Sequence, residues 1–383
     1  MSGETSISWT DATWNPVRGC SRVSEGCRNC YAERQAARFV KPGQPFHGFA
    51  KVTAPRDSLD RFGGRRNGWT GKVELIPSAL DWPLRWRGFK LAKAEGRPSR
   101  IFVNSMSDLF HEALTDEEIA AVFGVMAAAP QHTFQILTKR PDRMRAWFDW
   151  VDNAKEEASE DYGLSPIVEE AENLLGQDEY GEYLSRGVGT IAWPLPNVWL
   201  GTSVENQATA DERITHLLAT PAAVRFVSYE PAIGPVNFRF RGRDCSCIGH
   251  CRGRVGLGDS YRCVMDVDPQ TPLPPRGSAG LDWLIVGGES GPGARPFDVA
   301  WARSTVAQCK AAGVPVFVKQ LGARPISHCP HCNGVIGPVM SGWTDSCGSE
   351  HDALIRASQR ILDRKGGDWS EWPEDLRARE IPA

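Results

Sequence analysis

The sequence contains no apolar run approaching the roughly 20 residues that cross a bilayer, and no repetitive or compositionally biased tract. A membrane-embedded protein is therefore not expected. The first residues, MSGETSISWTD, lack a basic stretch followed by an apolar core. No secretion signal is expected from them, and a cytoplasmic location is. The formal net charge is only −3, so the chain has no global attraction to nucleic acid. A local basic face stays open, because charge distribution matters more than the sum. With 41% hydrophobic and 24% charged residues, the 383-residue chain has ordinary globular composition. Its length suits one large domain with insertions, or two smaller ones.

Cysteine, by contrast, is plentiful at 11 residues. An extracellular disulfide scaffold would be shorter and would carry a signal peptide. Ten of the cysteines fall in three clumps: Cys20/Cys27/Cys30, Cys245/Cys247/Cys251/Cys263 and Cys329/Cys332/Cys347. Ligands close in sequence lose little loop entropy when a metal gathers them. Cys309 stands alone in the helix-like AQCKAAG, where a buried structural thiol is expected.

The first clump reads TWNPVRGCSRVSEGCRNCYAERQAARF, with spacing Cys-x6-Cys-x2-Cys. Three cysteines is the informative count. A structural zinc site closes with four ligands, and a cubane [4Fe-4S] cluster ordinarily takes four thiolates. Three thiolates leave one iron open to an outside ligand. An open iron can chelate the amino and carboxylate groups of S-adenosylmethionine (SAM) and pass an electron into its sulfonium, which releases a 5′-deoxyadenosyl radical. The competing reading is a zinc site completed by His47 or by a cysteine of a later clump.

Six apolar runs end in polar residues and are followed by helix-like stretches: RIFVNSMSD, HTFQILTKR, NVWLGTSVEN, VRFVSYEP, DWLIVGGES and VPVFVKQLG. A weaker run, SISWTDATW, precedes the first cysteines. Near-continuous apolar strands alternating with helices predict an α/β fold built on a parallel sheet. Six or seven units predict a partial or full (β/α) barrel with small metal-binding insertions. Such folds place chemistry at the C-terminal strand ends, here Asp108, Lys139, Ser203, Glu205, Glu230, Glu289 and Lys319. The alternative for any one of these is a loop-start residue or helix cap. Thr115 followed by Glu118 predicts a capping box before EEIAAVFGVMAAA. The segment from Asn153 to about Arg186 reads as an acidic, peripheral helical insertion.

The string WNPVRGCSRVSEGCRNCYAERQA resembles the signature of a phage- and prophage-associated family of three-cysteine proteins. The resemblance continues through the six apolar runs in order. That family is in turn similar to divergent radical SAM enzymes near spore photoproduct lyase, whose motif is Cys-x3-Cys-x2-Cys followed by Tyr. Cys27, Cys30 and Tyr31 match its second half, and the first gap is six residues instead of three. Ser107-Asp108-Leu109-Phe110 corresponds to a Thr-Asp-Pro-Tyr strand end, and Thr138-Lys139 to a Thr-Lys strand end. The resemblance implies a [4Fe-4S] cluster on Cys20, Cys27 and Cys30. It implies that Ser107, Asp108, Thr138 and Lys139 line a SAM cavity, with Ser203 and Glu205 as partners for ribose or methionine. Gly287-Gly288-Glu289 resembles the Gly-Gly-Glu motif of such enzymes but ends a late strand. It reads here as a close-approach turn with Glu289 facing the cavity. An electron donor of the flavodoxin or ferredoxin kind follows; a nucleobase in DNA or RNA is the first expectation for the substrate, with a peptide or a small molecule as alternatives.

Cys329, Cys332, Cys347 and His351 have zinc-knuckle spacing. Cys245, Cys247, Cys251 and Cys263, with His250 nearby, form a second zinc candidate inside a basic segment. An auxiliary iron–sulfur cluster and metal-free thiols are the alternatives. The expected organisation is a barrel over 1–323 with insertions at about 153–186 and 239–280, a zinc-knuckle-like insertion over 324–352, and a tail over 353–383 packed on the barrel. The competing functional class is a zinc-stabilised nucleic-acid- or protein-binding barrel without radical chemistry.

Overall fold

Each of the seven apolar runs forms a parallel strand. The computed structural model describes residues 3–52, 67–157, 165–175, 192–238, 280–291, 293–328, 335–339, 342–344, 363 and 365–382. By contact the chain divides into two units: Met1–Thr202 with Thr220–Val224, and Ser203–Ala219 with Arg225–Ala383.

In the first unit, β1 (Gly3–Glu4) is an antiparallel edge on β2 (Ala12–Trp14). Parallel pairing then runs from β2 to β3 (Ser99–Val103), to β4 (His132–Thr138) and to β5 (Val198–Ser203). All six residues of β5 are buried. A strand covered on both faces has no polar face to alternate, which is why these runs read as continuously apolar. Helix α1 (Tyr31–Ala36) follows the first cysteines. Helix α2 (Asp116–Ala127) begins at the expected capping box: Glu118 N–H donates to Thr115 Oγ1 at 3.2 Å and Thr115 N–H to Glu118 Oε2 at 3.0 Å.

Every residue from Ile119 to Ala127 is buried. A helix buried all round must be covered on two sides. After α3 (Pro141–Glu157), helix α4 (Ser165–Leu175) supplies the second cover, with Ile167 and Ala171 fully buried. Residues 165–175 of the segment read as an insertion thus pack against α2 through buried side chains. Phe123, Trp147, Phe148 and Trp193 interlock beside this contact, the first two with centroids 4.3 Å apart.

In the second unit, β6 (Val224–Tyr229), β7 (Trp283–Gly287) and β8 (Val316–Gln320) pair in parallel. Helices α5 (Gln207–Ala219) and α6 (Val299–Ala312) accompany them. Helix α6 starts at Asp298, whose carboxylate accepts from Ala300 N–H at 2.9 Å, and ends at Gly313 in the left-handed region. Cys309 on this helix is fully buried, as its apolar context predicts. The tail lies along β8: Val318 N–H donates to Ala378 O at 2.8 Å and Glu380 N–H to Val316 O at 3.0 Å. Trp372 and Leu376 bury completely there. Phe297–Asp298, Pro325–His328, Val335–Val339 and Gly342–Thr344 form a separate small sheet. Among the described residues no helix is long and apolar enough to cross a membrane.

Gly124 sets how closely α2 and α4 approach. A methyl group there would stand 2.4 Å from Ile167 O and 2.7 Å from Ala171 Cβ. Gly124→Ala gains up to about 1 kcal/mol of helix propensity but overpacks a rigid contact, at about 1–3 kcal/mol. Sterics should win, because the obstacle is partly backbone. The variant is expected to melt a few degrees lower in a thermal unfolding experiment; a raised melting temperature would contradict this packing.

Candidate metal centre and its polar support

The cysteine loop is shaped before its first ligand. Gly19 has φ +89°, and a Cβ there would lie 1.9 Å from the Lys72 carbonyl oxygen. Only glycine fits this approach. Cys27 ends a short 3-10 turn, Glu25–Cys27, and Cys30 is the N-cap of α1. All three cysteines are free; Cys27 is buried, and Cys20 and Cys30 are partly so. Cys30 packs against a cluster that includes Ala32, Ala36, Phe46, Phe49 and Met106. Arg22 braces the loop through a 2.6 Å pair with Glu33, which is 3% exposed.

The turn after β3 holds the other side of the loop. Asn104 takes φ +60° and donates its backbone N–H to Trp14 O at 2.7 Å. Its side-chain oxygen accepts from Val17 N–H at 3.3 Å, while its buried Nδ2 has no partner among the described residues. Asn15 Oδ1 accepts from Ser105 Oγ and Met106 N–H. Ser107 Oγ donates to Val17 O at 2.9 Å. Tyr31 donates its hydroxyl to Ser105 O.

Asp108 ties β3 to β4. Its buried carboxylate accepts from Thr138 Oγ1 at 2.7 Å, Phe110 N–H at 3.1 Å, Lys139 N–H at 3.1 Å and Arg140 Nη1 at 3.2 Å. Arg140, itself only 6% exposed, also donates to Glu112 Oε2 at 2.7 Å and to Ser21 Oγ at 2.7 Å. Ser21 follows Cys20 directly, so one guanidinium joins two strand ends to the cysteine loop. His111 Nδ1 accepts from Ala113 N–H at 3.1 Å, which leaves Nε2 as the donor to Ser21 Oγ at 2.9 Å.

Burial pushes the Cys20 thiol up to about 12; the Asp108 charge adds to the rise, Arg140 opposes it, and the Cys30 and Cys27 sulfurs raise it further. Burial also raises Cys30, against the N–H groups of Glu33 and Ala32 that point at its sulfur. A positive charge arriving beside Cys20 and Cys30, as a bound metal supplies, would favour their thiolates. Among the described residues no three His, Cys, Asp or Glu side chains are gathered into the shell of a single metal ion. The donors themselves are three neighbouring soft thiols, and soft thiolates suit iron–sulfur ligation.

The structure thus brings together Cys20, Cys27, Cys30, Ser107, Asp108, Thr138 and Lys139. Three of their polar groups make internal bonds: the Asp108 carboxylate, the Thr138 hydroxyl and the Ser107 hydroxyl. Ser203, Glu205 and Glu289 lie in the second unit. Glu205 is 1% exposed and accepts from Arg213 at 3.0 Å. Glu289 accepts from the Arg295 backbone at 2.8 Å and from its guanidinium. Glu230 pairs with Lys319 at 3.1 Å. Gly287 and Gly288 mark the expected close approach: a Cβ would meet Glu230 Oε1 at 2.7 Å and Leu321 O at 2.8 Å, respectively. The zinc candidates Cys329, Cys332, Cys347 and His351, and Cys245, Cys247, Cys251 and Cys263, lie outside the described residues.

Sequence reasoning stopped one residue short of Arg140. Its signal was present: a guanidinium two residues after the buried strand β4 and directly before α3, in a sequence that already offered Asp108 as a strand-end carboxylate.

The family described as "Protein of unknown function (DUF5131)" matches over residues 4–368. No curated protein and no solved structure matches the chain.

His111 gives this network a pH signature. Burial, then the Arg140 charge, hold its imidazole below its ordinary value of 6.5. The folded state therefore keeps it neutral where the unfolded state takes a proton, and stability is lost as pH falls below about 6.5. Urea unfolding between pH 7.5 and 5.5 should show a larger loss in the wild type than in His111→Gln. An equal or smaller loss in the wild type would contradict the assignment.

Proposed function

We propose that this chain, which belongs to the DUF5131 family, is a radical SAM enzyme whose [4Fe-4S] cluster is held by Cys20, Cys27 and Cys30. One observation carries the reading: three free thiols share a loop that Arg140 and Asp108 clamp to the C-terminal ends of parallel strands. The finer fold reading, a partial (β/α) barrel with small metal-binding insertions, belongs to the same proposal. A cluster bound there supplies the electron that cleaves SAM reductively.

The chain's own residues do the rest. Gly19 and Asn104 set the loop's path. Asp108 and Thr138 hold the strand ends in register and so act as positioning residues. Ser107, whose hydroxyl donates to Val17 O, and Lys139 are partly exposed beside them, and their assignment to SAM rests on the resemblance. The assignment of Ser203, Glu205 and Glu289 to SAM rests on the resemblance, and the arginines on the two glutamates orient their carboxylates. The cluster's electron comes from a flavodoxin- or ferredoxin-like donor, and the substrate is a nucleobase in DNA or RNA. The later cysteines are proposed to bind zinc.

Anaerobic reconstitution tests this reading. The protein should turn brown, contain iron together with zinc, and release 5′-deoxyadenosine from SAM on reduction. Cys27→Ala should abolish that release. A colourless protein holding only zinc, with no SAM cleavage after reconstitution, would favour the metal-stabilised binding barrel.

A further inference from the structure

The small net charge of the chain hides a strong local asymmetry. Residues 18–52 and 67–75 carry eight Lys and Arg against three Glu, a net of +5. The whole chain sums to −3, so everything else carries −8. This stretch contains the cysteine loop, α1 and the hairpin in which Ala50–Val52 pairs with Asn67–Trp69. Its three glutamates are already engaged, Glu33 by Arg22, Glu25 by Arg28 and Glu74 by Lys72. Arg38, Lys41 and Lys51 are exposed and make no ion pair among the described residues. Three exposed apolar side chains share the stretch: Val23, Tyr31 and Val52, at 48%, 46% and 42%.

We propose that this lobe is the face on which the phosphate backbone of a nucleic acid lies, beside the cysteine loop. Unpartnered cations on a surface of one sign attract a polyanion, and each phosphate they neutralise releases counterions. Tyr31 directly follows Cys30 and gives a base one exposed ring to stack on. An anionic membrane would be the other extended polyanion. It would need an amphipathic helix to bury an apolar face, and the lobe's helix has only six residues. The inference deepens the radical SAM reading by naming the polymer that carries the substrate. It rests on that reading for the chemistry and not for the binding.

Fluorescence anisotropy with labelled single-stranded and duplex oligonucleotides tests it, on full-length reconstituted protein over a salt series. The triple variant Arg38→Glu, Lys41→Glu, Lys51→Glu should bind on the order of 10- to 100-fold more weakly, with a log–log salt slope shallower by about 2–3. A control triple in the other unit, Lys310→Glu, Arg324→Glu, Lys365→Glu, should bind as the wild type does. Iron content and thermal unfolding check folding, and a triple alanine variant of the same lobe residues should show the same direction if charge reversal impairs it. No binding by the wild type, equal losses in both triples, or tighter binding to phosphatidylglycerol vesicles than to either oligonucleotide would overturn the proposal. SAM cleavage without nucleic acid, measured on the same samples, reports separately on the radical SAM reading.

Discussion

The buried Asp108–Arg140 pair is the constraint on which the first unit's strand ends depend. Neither group could be buried alone without a large desolvation penalty. Each is therefore saturated: the carboxylate takes four donors, and the guanidinium reaches Asp108, Glu112 and Ser21. Removing either partner would strand the other in a poorly solvating site, typically at about 3–5 kcal/mol. The pair consequently fixes β3 against β4 and fixes both against the residue after Cys20. The cysteine loop is thus held by the same bonds that close the strand ends.

That coupling gives the thiols their character. They are partly or fully buried, burial raises Cys20 and Cys30, and the loop is tied to a rigid frame on both sides. A loosely held loop could rearrange to avoid the repulsion of neighbouring thiolates; this one is restrained by Gly19 against Lys72 and by Ser21 against Arg140. A preorganised thiol set suits a bound metal group better than it suits an isolated nucleophile, which would need a lowered pKa and ready access. The stretch that carries the loop also holds three exposed cations, Arg38, Lys41 and Lys51, with no ion pair among the described residues.

The strands were legible in the sequence because strands covered on both faces carry unbroken apolar runs, as in DWLIVGG and NVWLG. The capping box at Thr115 and Glu118 was legible because its chemistry is local. The role of α4 was not, since an acidic segment gives little sign of what its few apolar residues cover. The clue lay elsewhere, in an α2 sequence apolar on every face and carrying Gly124. The site was legible in its residues but not in their contacts. Asp108 and Thr138 were recognised as strand-end polar residues, yet only the fold shows that their polar atoms face each other and Arg140. Glu205 and Glu289 read as cavity carboxylates, and each is held by an arginine that sequence alone does not pair with it. The lobe's charge escaped notice because the whole-chain sum cancels it.

The claim that Cys20, Cys27 and Cys30 hold a [4Fe-4S] cluster with one open iron has a direct spectroscopic test. Electron paramagnetic resonance of the reduced, reconstituted protein should show a [4Fe-4S] signal, and adding SAM should shift its g values because SAM reaches the open iron. The signal should vanish when all three cysteines are changed to alanine. A signal that persists in that triple variant, or a wild-type spectrum that SAM leaves unchanged, would contradict the claim.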